Sequence, residues 1–302
     1  MSKILERKLL GLTFKNPILP ASGTFAFGKE INDDFYPIKN LGGLVTKGIS
    51  SIPWQGNPTP RCAETPGGML NAVGLQNPGV DVFIKDYLPF MKSHGVPVIA
   101  QAIGKSAEEY LDVVKKLCVK GVDAIELNVS CPNIATGCSF GVDPIALETL
   151  VRDVKKICPL PLIVKLTPNI TNITTTALAA ERGGADAISL INTIAGMAVD
   201  IETRKPILGN RVGGLSGPCI KPVALKMVWE VYNAVKIPVI GCGGITNFRD
   251  VIEFMLCGAT LVQVGTLNMT DPMETHKIID DLENWCVANN IKNLNEIVGG
   301  LQ

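Results

Sequence analysis

The chain has 302 residues, a length typical of one α/β barrel or of two smaller domains. Hydrophobic residues make up 46% of it, enough for a large core, and 28 Lys and Arg residues balance 28 Asp and Glu residues. Zero net charge argues against a broad surface for nucleic acid or anionic membrane. Residues 1–7 are charged and lack the apolar region of a signal peptide, and no apolar run approaches the ~20 residues of a membrane-spanning helix. We therefore expect no nucleic-acid or membrane partner.

Nine cysteines are spread along the chain without any Cys-x-x-Cys pair. An odd number of cysteines in a chain of this length argues against a disulfide framework, and no zinc or iron–sulfur ligand set is visible. The sequence predicts no metal site and a reducing compartment, the cytoplasm.

In chain order, strands alternate with helical segments. A short hairpin is predicted within residues 4–19, and helices with apolar residues at 3.6-residue spacing are clearest at 107–119 and 145–157. The predicted strands are 17–21, 43–47, 97–102, 123–129, 162–167, 186–191, 238–241 and 260–264. Eight such strands predict an α/β fold, a (β/α)8 TIM barrel with a short N-terminal hairpin and long βα loops. A doubly wound open sheet is the structural alternative. No linker divides the chain, so we expect one domain over residues 1–302.

Two connections are far longer than the ~2–6 residues usual between a strand and a helix. They cover residues 48–79 and 192–219, and both are rich in Gly, Pro and Asn. Long loops of this kind within a compact domain are usually functional or disordered. Apolar residues within the first loop favour an ordered, functional one.

The fourth predicted strand has one aliphatic and one polar face. Ile125, Leu127 and Val129 alternate with Glu126, Asn128 and Ser130. A strand covered by helices should be apolar on both faces, and a polar inner face is costly unless it has partners. The alternation indicates either a satisfied polar core or a functional site, at the strand that leads into Cys131 and Pro132.

Polar residues follow most of the predicted strands, and barrel active sites lie at the C-terminal ends of the strands. The candidates are Ser22, Lys47, Gln101, Asn128, Ser130, Cys131, Lys165, Thr167, Asn192 and Thr193. Lys47 and Lys165 each follow aliphatic strand residues, where a lysine must meet an anion or lose its proton. The structural alternative for either lysine is an ion pair with Glu126.

The last two strands end in glycine, at 241–244 and at Gly265-Thr266. Loops after strands seven and eight of a barrel often hold a phosphate on backbone N–H groups, so these glycines indicate a phosphate-bearing ligand. Both histidines lie away from the predicted rim, which leaves Cys131 as the best proton-transfer group there. A thiol has an ordinary pKa of about 8.5 and needs a nearby positive charge to act as a base near neutrality.

The motif Asn128-Val129-Ser130-Cys131-Pro132-Asn133 resembles the catalytic signature of class 1 dihydroorotate dehydrogenases. Both long loops agree with it, through Asn57-Pro58-Thr59-Pro60-Arg61, the segment 66–79 and the segment 213–218. The resemblance extends from about Leu10 to the C-terminus and is closest to class 1B, the catalytic subunit of the NAD-linked enzyme.

This resemblance implies an FMN cofactor and a pyrimidine ring as substrate. The implied FMN contacts are Ser22, Lys47, Gly48, Gln101, Asn128, Lys165, Ile191, Gly217, Gly243, Gly244, Gly265 and Thr266. The implied substrate contacts are Lys47, Asn71, Ala72, Val73, Gly74, Leu75, Asn128, Asn192 and Thr193. Gln101 is a departure, because the family usually has Asn there, and it carries the amide on a longer arm.

The implied reaction is oxidation of (S)-dihydroorotate to orotate in pyrimidine (UMP) biosynthesis. The resemblance makes Cys131 the base for the C5 proton and the flavin the acceptor of the C6 hydride. Lys165 would stabilise negative charge on the reduced flavin, and Lys47 would meet the substrate carboxylate.

The NAD-linked class further implies a partner subunit that carries FAD and a [2Fe–2S] cluster, in a heterotetramer of two catalytic and two electron-transfer subunits. The chain itself shows no Rossmann fingerprint and no clustered cysteines. Ile52, Pro53 and Trp54 are candidate rim contacts for that partner, unless they only pack the long loop.

Four other interpretations are weighed at this point. Fumarate-linked class 1A is the nearest, and quinone-linked class 2 is disfavoured by Cys131, because that class has serine as its base and a membrane-associated N-terminal helix. From outside the family, a phosphosugar isomerase or Schiff-base lyase barrel would use Lys165 as an amine nucleophile. A barrel that only serves as a scaffold is disfavoured by the many polar rim residues.

Overall fold

The computed structural model describes residues 3–130 and 140–302. Its strands are β1 (Arg7–Leu9), β2 (Leu12–Phe14), β3 (Ile18–Pro20), β4 (Leu44–Val45), β5 (Cys62–Thr65), β6 (Gly68–Asn71), β7 (Val98–Ala102), β8 (Ala124–Asn128), β9 (Leu162–Lys165), β10 (Ala187–Leu190), β11 (Ile194–Gly196), β12 (Val199–Asp200), β13 (Lys205–Pro206), β14 (Gly213–Ser216), β15 (Val239–Cys242) and β16 (Ala259–Val264). Its α-helices are α1 (Lys29–Asp34), α2 (Val80–Val82), α3 (Leu88–Ser93), α4 (Ala107–Leu117), α5 (Pro144–Ile157), α6 (Ile173–Gly183), α7 (Lys221–Ala234), α8 (Phe248–Leu256), α9 (Leu267–Thr270) and α10 (Pro272–Ala288). A π-helical turn (Phe83–Tyr87) joins α2 to α3, and short 3₁₀ turns lie at Ile38–Asn40, Pro218–Ile220 and Leu294–Glu296.

Eight parallel strands form the predicted barrel. Around it they follow the order β3, β4, β7, β8, β9, β10, β15, β16, so that neighbours in space are neighbours along the chain. At the seam between β3 and β4, the Gly42 N–H donates to the Ile18 carbonyl oxygen at 2.9 Å. A doubly wound sheet reverses its strand order part-way, and this order does not reverse. The (β/α)8 fold is therefore confirmed, and the open-sheet alternative was wrong.

The strands bury both faces, as sequential βα units require. Outward side chains such as Ile125 and Leu127 of β8 pack in one core with the helices, whereas inward side chains such as Ile99, Ile163 and Leu261 form a separate core inside the barrel. The antiparallel hairpin of β1 and β2 contributes Leu9 and Phe14 to this inner core. The predicted N-terminal hairpin is thus confirmed, and it plugs the N-terminal end of the barrel.

The helices begin at the capping residues that their sequences provide. Ser106 accepts a hydrogen bond from the Glu109 N–H at the start of α4, and the Asp143 side chain accepts two at the start of α5. Helices α4 and α5 confirm the two helices that the sequence predicted most clearly, at 107–119 and 145–157. No helix in the described ranges is long and apolar enough to cross a membrane.

The two long loops are ordered and joined to each other. Strands β5 and β6 form a hairpin in the first loop, and β11 and β14 pair in the second. Antiparallel pairing of β6 with β14 makes one four-stranded sheet from both loops, with Asn71 opposite Gly214. This small sheet was not predicted from the sequence, and it positions the residues that follow β6.

Candidate active site

A cavity of about 1120 Å³ opens at the C-terminal end of the barrel. This volume exceeds that of most sites for a single small ligand and suits a cofactor together with a substrate. Its wall includes residues at the C-terminal end of every barrel strand, in strand order Ser22, Lys47, Gln101, Asn128, Lys165, Ile191, Cys242 and Gly265. Residues that follow all eight barrel strands therefore share one cavity.

The predicted site residues meet in this one cavity wherever the structure describes them. The predicted cofactor contacts on its wall are Ser22, Lys47, Gly48, Gln101, Asn128, Lys165, Ile191, Gly217, Gly243, Gly244, Gly265 and Thr266. The predicted substrate contacts on it are Lys47, Asn71, Ala72, Val73, Gly74, Leu75, Asn128, Asn192 and Thr193. The predicted base, Cys131, lies outside the described residues. Proximity alone does not assign a ligand to any of these side chains, and their roles stay predictions.

Beneath the cavity, the polar face of β8 is hydrogen-bonded. Glu126 is completely buried, and its carboxylate accepts from Gln101 Nε2 at 2.6 Å, Gln263 Nε2 at 2.5 Å and Ser189 Oγ at 2.8 Å. Gln101 Nε2 also donates to Ser22 Oγ at 2.6 Å on the cavity wall. Glu126, on the polar inner face that the sequence indicated, thus has partners on β7, β10 and β16, which offset its burial.

The two barrel lysines differ in their surroundings. Lys165 Nζ donates to Gln263 Oε1 at 2.8 Å and lies 3.9 Å from Glu126 Oε1. Lys165 thus forms the ion pair with Glu126 that the sequence offered as the structural alternative, and Gln263 bridges the two side chains. Lys47 forms no ion pair with any residue in the described ranges. Burial, and to a smaller extent the Arg61 guanidinium, lowers the pKa of Lys47, against a smaller opposing effect of Cys62. The Lys47 ammonium thus has no anionic partner among the described residues, and an anionic ligand would stabilise it.

The first long loop is held in shape by Arg61. Its guanidinium donates to the Asn57 carbonyl at 2.6 Å, the Gln55 carbonyl at 2.9 Å and Gln76 Oε1 at 2.5 Å. The Ala72 N–H donates to the Arg61 carbonyl at 2.7 Å. These bonds tie the two ends of the loop together, so that residues 71–75 face the cavity from an ordered segment.

Trp54 has a local role in the same loop. It lies on the cavity wall, the Lys105 ammonium sits 4.5 Å from its ring centre, and its backbone pairs with that of Asn77. This favours packing of the loop over the predicted rim contact for Trp54. Ile52, by contrast, is 65% exposed.

The glycines after β15 and β16 form a corner of the cavity. Gly244 has φ +77°, and a Cβ there would lie 2.7 Å from the Lys221 Cβ and 3.0 Å from the Gly217 carbonyl oxygen, so a larger residue is excluded. At Gly265 a Cβ would find nothing nearer than 3.6 Å. The backbone N–H groups of Gly243, Gly244, Gly265 and Thr266 donate to no acceptor in the described part of the chain. The corner is therefore a set of donors with room in front of Gly265, which suits an anion.

A salt bridge fixes this corner from behind. Lys221 Nζ lies 2.6 Å from Asp250 Oδ1 and 2.8 Å from Glu253 Oε2, and Asp250 also accepts from the Thr246 N–H at 2.7 Å. Burial raises the pKa of the Asp250 carboxyl, but the hydrogen bonds from Lys221 and Thr246 outweigh it, and the net shift is downward. The carboxylate thereby joins the loop after β15 to the start of α7.

Cys242 and Ser130 also line the cavity. Burial raises the pKa of the Cys242 thiol, which makes it a poor base near neutrality. The Ser130 hydroxyl is buried and has no hydrogen-bond partner within residues 3–130 and 140–302. A buried hydroxyl of this kind, one residue before Cys131, is available to a ligand.

Comparison with known proteins decides the family. The family model for dihydroorotate dehydrogenase matches residues 4–285. The chain belongs to the dihydroorotate dehydrogenase family. It is similar to proteins named dihydroorotate dehydrogenase B (NAD(+)), catalytic subunit: it is 52% identical to that of Alkaliphilus oremlandii, over 97% of each chain. Identity is 50% to that of Thermoanaerobacter pseudethanolicus over 99% of each chain, and 50% to that of Lachnoclostridium phytofermentans over 96% of this chain and 97% of the relative.

A dihydroorotate dehydrogenase is a flavin-dependent enzyme, and the cavity fits such a group. It offers the glycine corner for an anionic tail, the Lys165 cation and the amides of Gln101 and Asn128 in its centre, and the unpartnered Ser130 hydroxyl. Gln101 lies on the wall despite its departure from the family's usual Asn.

Sequence reasoning missed two members of the buried network. Gln263 interrupts the aliphatic strand β16, and Ser189 interrupts β10, both on inward positions. The available signal was a polar residue within an otherwise aliphatic strand. The sequence analysis used it for β8, for the two lysines and for other polar residues near the C-terminal ends of strands, but not for Gln263 or Ser189.

Proposed function

We propose that this dihydroorotate dehydrogenase is the catalytic subunit of the NAD-linked enzyme, and that it oxidises (S)-dihydroorotate to orotate in pyrimidine biosynthesis. The observation that carries the proposal is the convergence of Lys47, Lys165, Asn128 and the glycine corner in one cavity that all eight strands supply. Identity of about 50% to NAD-linked catalytic subunits, over nearly the whole chain, supports the choice of class.

The flavin in this proposal is FMN, held by one barrel domain over residues 1–302. The glycine corner at Gly243, Gly244, Gly265 and Thr266 would bind the phosphate, because it combines backbone donors with open space. Lys165 and the Gln101 and Asn128 amides would hold the ring system. When bound, FMN accepts the hydride that leaves C6 of dihydroorotate.

The chain's own residues perform the remaining steps. Cys131 would take the proton from C5 of the substrate, since Cys242, the one cysteine among the described wall residues, has a raised pKa. Lys47 would bind the substrate carboxylate, which supplies the anion that this partly buried lysine lacks among the described residues. Lys165 would stabilise the negative charge that reduction brings to the flavin.

The amides of Asn128 and Asn192 would read the pyrimidine ring. Asn128 Oδ1 accepts from the Ser130 N–H at 3.1 Å and from Asn192 Nδ2 at 3.3 Å, and Asn192 Oδ1 accepts from the Thr193 N–H at 2.8 Å. An amide oxygen has two lone pairs and an amide nitrogen two hydrogens. Asn128 Nδ2 also donates to Gln101 Oε1 at 3.3 Å, so Asn128 keeps one N–H for a ligand, and Asn192 keeps one N–H and one lone pair. Each asparagine can therefore donate to a carbonyl or carboxylate oxygen of the substrate.

A partner subunit completes the proposal. The relatives are named catalytic subunits, and we infer an electron-transfer subunit with FAD and a [2Fe–2S] cluster, joined to this chain in a cytoplasmic heterotetramer. Exposed Ile52 on the cavity rim is a candidate contact for it. No nucleic acid or membrane takes part in this scheme.

The experiment that tests the proposal is reduction of the purified chain by dihydroorotate without oxygen, followed by a screen of oxidants. We expect yellow protein with FMN on extraction, bleaching by dihydroorotate, reoxidation by an artificial dye, and negligible NAD reduction until the partner is added. Rapid NAD reduction by the chain alone would contradict the partner, and brisk fumarate turnover would assign the chain to class 1A. Colourless protein that takes up no FMN would contradict the proposal itself.

The family match argues against the phosphosugar isomerase or Schiff-base lyase alternative, and so do the contacts of Lys165. Its Nζ donates to Gln263 and faces the Glu126 carboxylate, an arrangement that suits a cation rather than an amine nucleophile. Trapping with borohydride and a carbonyl compound separates the two functions, because a flavin dehydrogenase forms no covalent lysine adduct.

A further inference from the structure

Glu126 is a buried carboxylate that the proposed reaction does not use. It has no exposed surface and lies below the cavity wall, where it accepts hydrogen bonds from Gln101, Ser189 and Gln263. Its Oε1 is 3.9 Å from Lys165 Nζ. Burial of a charge this deep is costly unless it is paired, and two of its neighbours, Gln101 and Lys165, line the cavity.

On one side, the carboxylate is linked to Lys165. Lys165 Nζ can only donate, so Gln263 turns its oxygen to the lysine at 2.8 Å and its N–H₂ group to Glu126 at 2.5 Å. The orientation of the Gln263 amide is thus fixed by the ammonium at one end and by the carboxylate at the other.

On the other side, the carboxylate is linked to the asparagines. The Ser130 N–H can only donate, so Asn128 turns its oxygen to it and its N–H₂ group to Gln101 Oε1 at 3.3 Å. Gln101 must then turn its own N–H₂ group to Glu126. Both arms end on Glu126, whose carboxylate is the common acceptor for the Gln101 and Gln263 amides.

We propose that Glu126 is a positioning residue that lowers the reduction potential of the bound flavin and orients the Asn128 amide toward the substrate. The proposal rests on the flavin function proposed above. Lys165 would stabilise the extra negative charge of reduced flavin, and Glu126, whose Oε1 lies 3.9 Å from Lys165 Nζ, would offset part of that stabilisation. The offset is large because charges buried away from water are poorly screened.

This role suits the proposed electron acceptor. A flavin that passes electrons toward NAD must have a low reduction potential. A lysine beside the ring with no neighbouring carboxylate would stabilise the reduced flavin and raise that potential. Glu126 leaves the Lys165 cation in place while it cancels part of its field.

The first test is the isosteric variant Glu126→Gln, studied as flavin-loaded protein. Loss of the carboxylate should raise the midpoint potential measured by spectroelectrochemical titration. We expect a shift equivalent to about tenfold in the two-electron equilibrium, which is about 30 mV. A new N–H₂ group would also face the donors of Gln101 or Gln263, so the affinity for orotate should fall about tenfold, as read from the flavin spectrum.

A double variant keeps the test decisive even if Glu126→Gln folds poorly or loses flavin. In Glu126→Gln/Gln263→Glu the two side chains exchange places: the new carboxylate accepts directly from Lys165, and the new amide accepts from Gln101 and donates to the carboxylate. Charge and hydrogen bonding are both retained, so flavin content, potential and orotate affinity should return toward those of the unmodified protein. Ser189→Ala is the matched control, because it removes one donor to Glu126 and keeps the charge; its potential should not rise.

The outcomes are distinct. A raised potential in Glu126→Gln, restored in the double variant, supports the proposal. An unchanged potential in Glu126→Gln, or a raised one in the double variant, overturns it while the flavin function stands. If the unmodified chain binds no flavin, the proposed function has failed and the role of Glu126 falls with it.

Discussion

The two ends of the barrel interior are built by the same strands, two residues apart, and they differ in polarity: all eight inward residues are apolar at one end, and most are polar at the other. The inward side chains at the N-terminal end are Leu19, Val45, Ile99, Ala124, Ile163, Ala187, Ile240 and Leu261. Two residues further along each strand, the side chains are Ala21, Lys47, Gln101, Glu126, Lys165, Ser189, Cys242 and Gln263. Strand alternation places both sets on the inner face. The first set, covered by the hairpin, contributes to the stability of the fold. In the second set, hydrogen bonds between the side chains offset the cost of burying polar groups beneath the proposed active site.

The largest effect in free energy is expected at the apolar end. Phe14→Ala removes a fully buried ring from the hairpin plug. It should lower the free energy of unfolding by about 3–5 kcal/mol, as measured by denaturant titration. The affinity for flavin and substrate should stay unchanged in the folded protein. Thr13→Ala, an exposed position in the same strand, is the control and should cost less than about 0.5 kcal/mol. A loss of catalysis without a loss of stability would contradict the division of the barrel into two ends.

The next largest effect is expected at the polar end of the barrel, on the rate of flavin reduction. Cys131→Ala should retain FMN and slow flavin reduction by dihydroorotate by roughly two orders of magnitude or more, the usual contribution of a positioned base. Cys131→Ser should be impaired most near neutral pH, because a hydroxyl loses its proton far less readily than a thiol. Stopped-flow absorbance measures both. Cys286→Ala, a buried thiol in α10, should reduce flavin normally. A normal rate in Cys131→Ala would show that another group is the base.

Lys47→Met should separate affinity from stability. Removal of the cation should weaken dihydroorotate binding by about 2 kcal/mol, roughly thirtyfold. The ligand-free protein should become more stable, since burial disfavours the Lys47 cation in the folded state. Lys105→Met, an exposed lysine on the same wall, should change affinity much less.

The lowered pKa of Lys47 also fixes the sign of a pH effect. The ammonium loses its proton below the ordinary lysine range, so the KM for dihydroorotate should rise with pH before an ordinary lysine would titrate. In Lys47→Met this rise should be absent. A KM that stays flat in the unmodified enzyme over the alkaline range would contradict the assignment of the carboxylate to Lys47.

The smallest effect is expected behind the glycine corner. Asp250→Asn keeps an acceptor for Thr246, and Glu253 still pairs with Lys221, so the cost should be only about 1 kcal/mol. The folded pKa of Asp250 is lowered, so its contribution is present above the unfolded value and is lost as pH falls through the folded pKa. Thermal unfolding as a function of pH should show this acid-side loss in the unmodified protein and a weaker one in Asp250→Asn. Glu253→Gln is the control, because it removes the charge of the second and more exposed partner of Lys221.

The sequence predicted the layered interior well, because the period of two in a strand is local. Ile125 and Leu127 alternate with Glu126 and Asn128 within a few residues, and the structure places them on opposite faces. It did not predict the pairing of β6 with β14, whose partners Asn71 and Gly214 are far apart along the chain.

The direction of the buried amides was also beyond sequence reasoning. It depends on which donors and acceptors surround each amide, and Lys165, Gln263 and Gln101 come from three different strands. The residue type determines which donors and acceptors a side chain has, whereas the fold determines which of them are left to bind a ligand.

The ladder between β6 and β14 has a consequence for protein engineering. Leu70 and Leu215 are register partners in it, so the segment that presents Asn71 to the cavity is aligned by a strand from the opposite loop. Transplanting either loop alone from a relative would pair a foreign strand with a native one, and a slip of one residue would turn every side chain of β6 to the other face. Loop 48–79 and loop 192–219 therefore form a single module for grafting, and chimaeras of this barrel should exchange them as a pair.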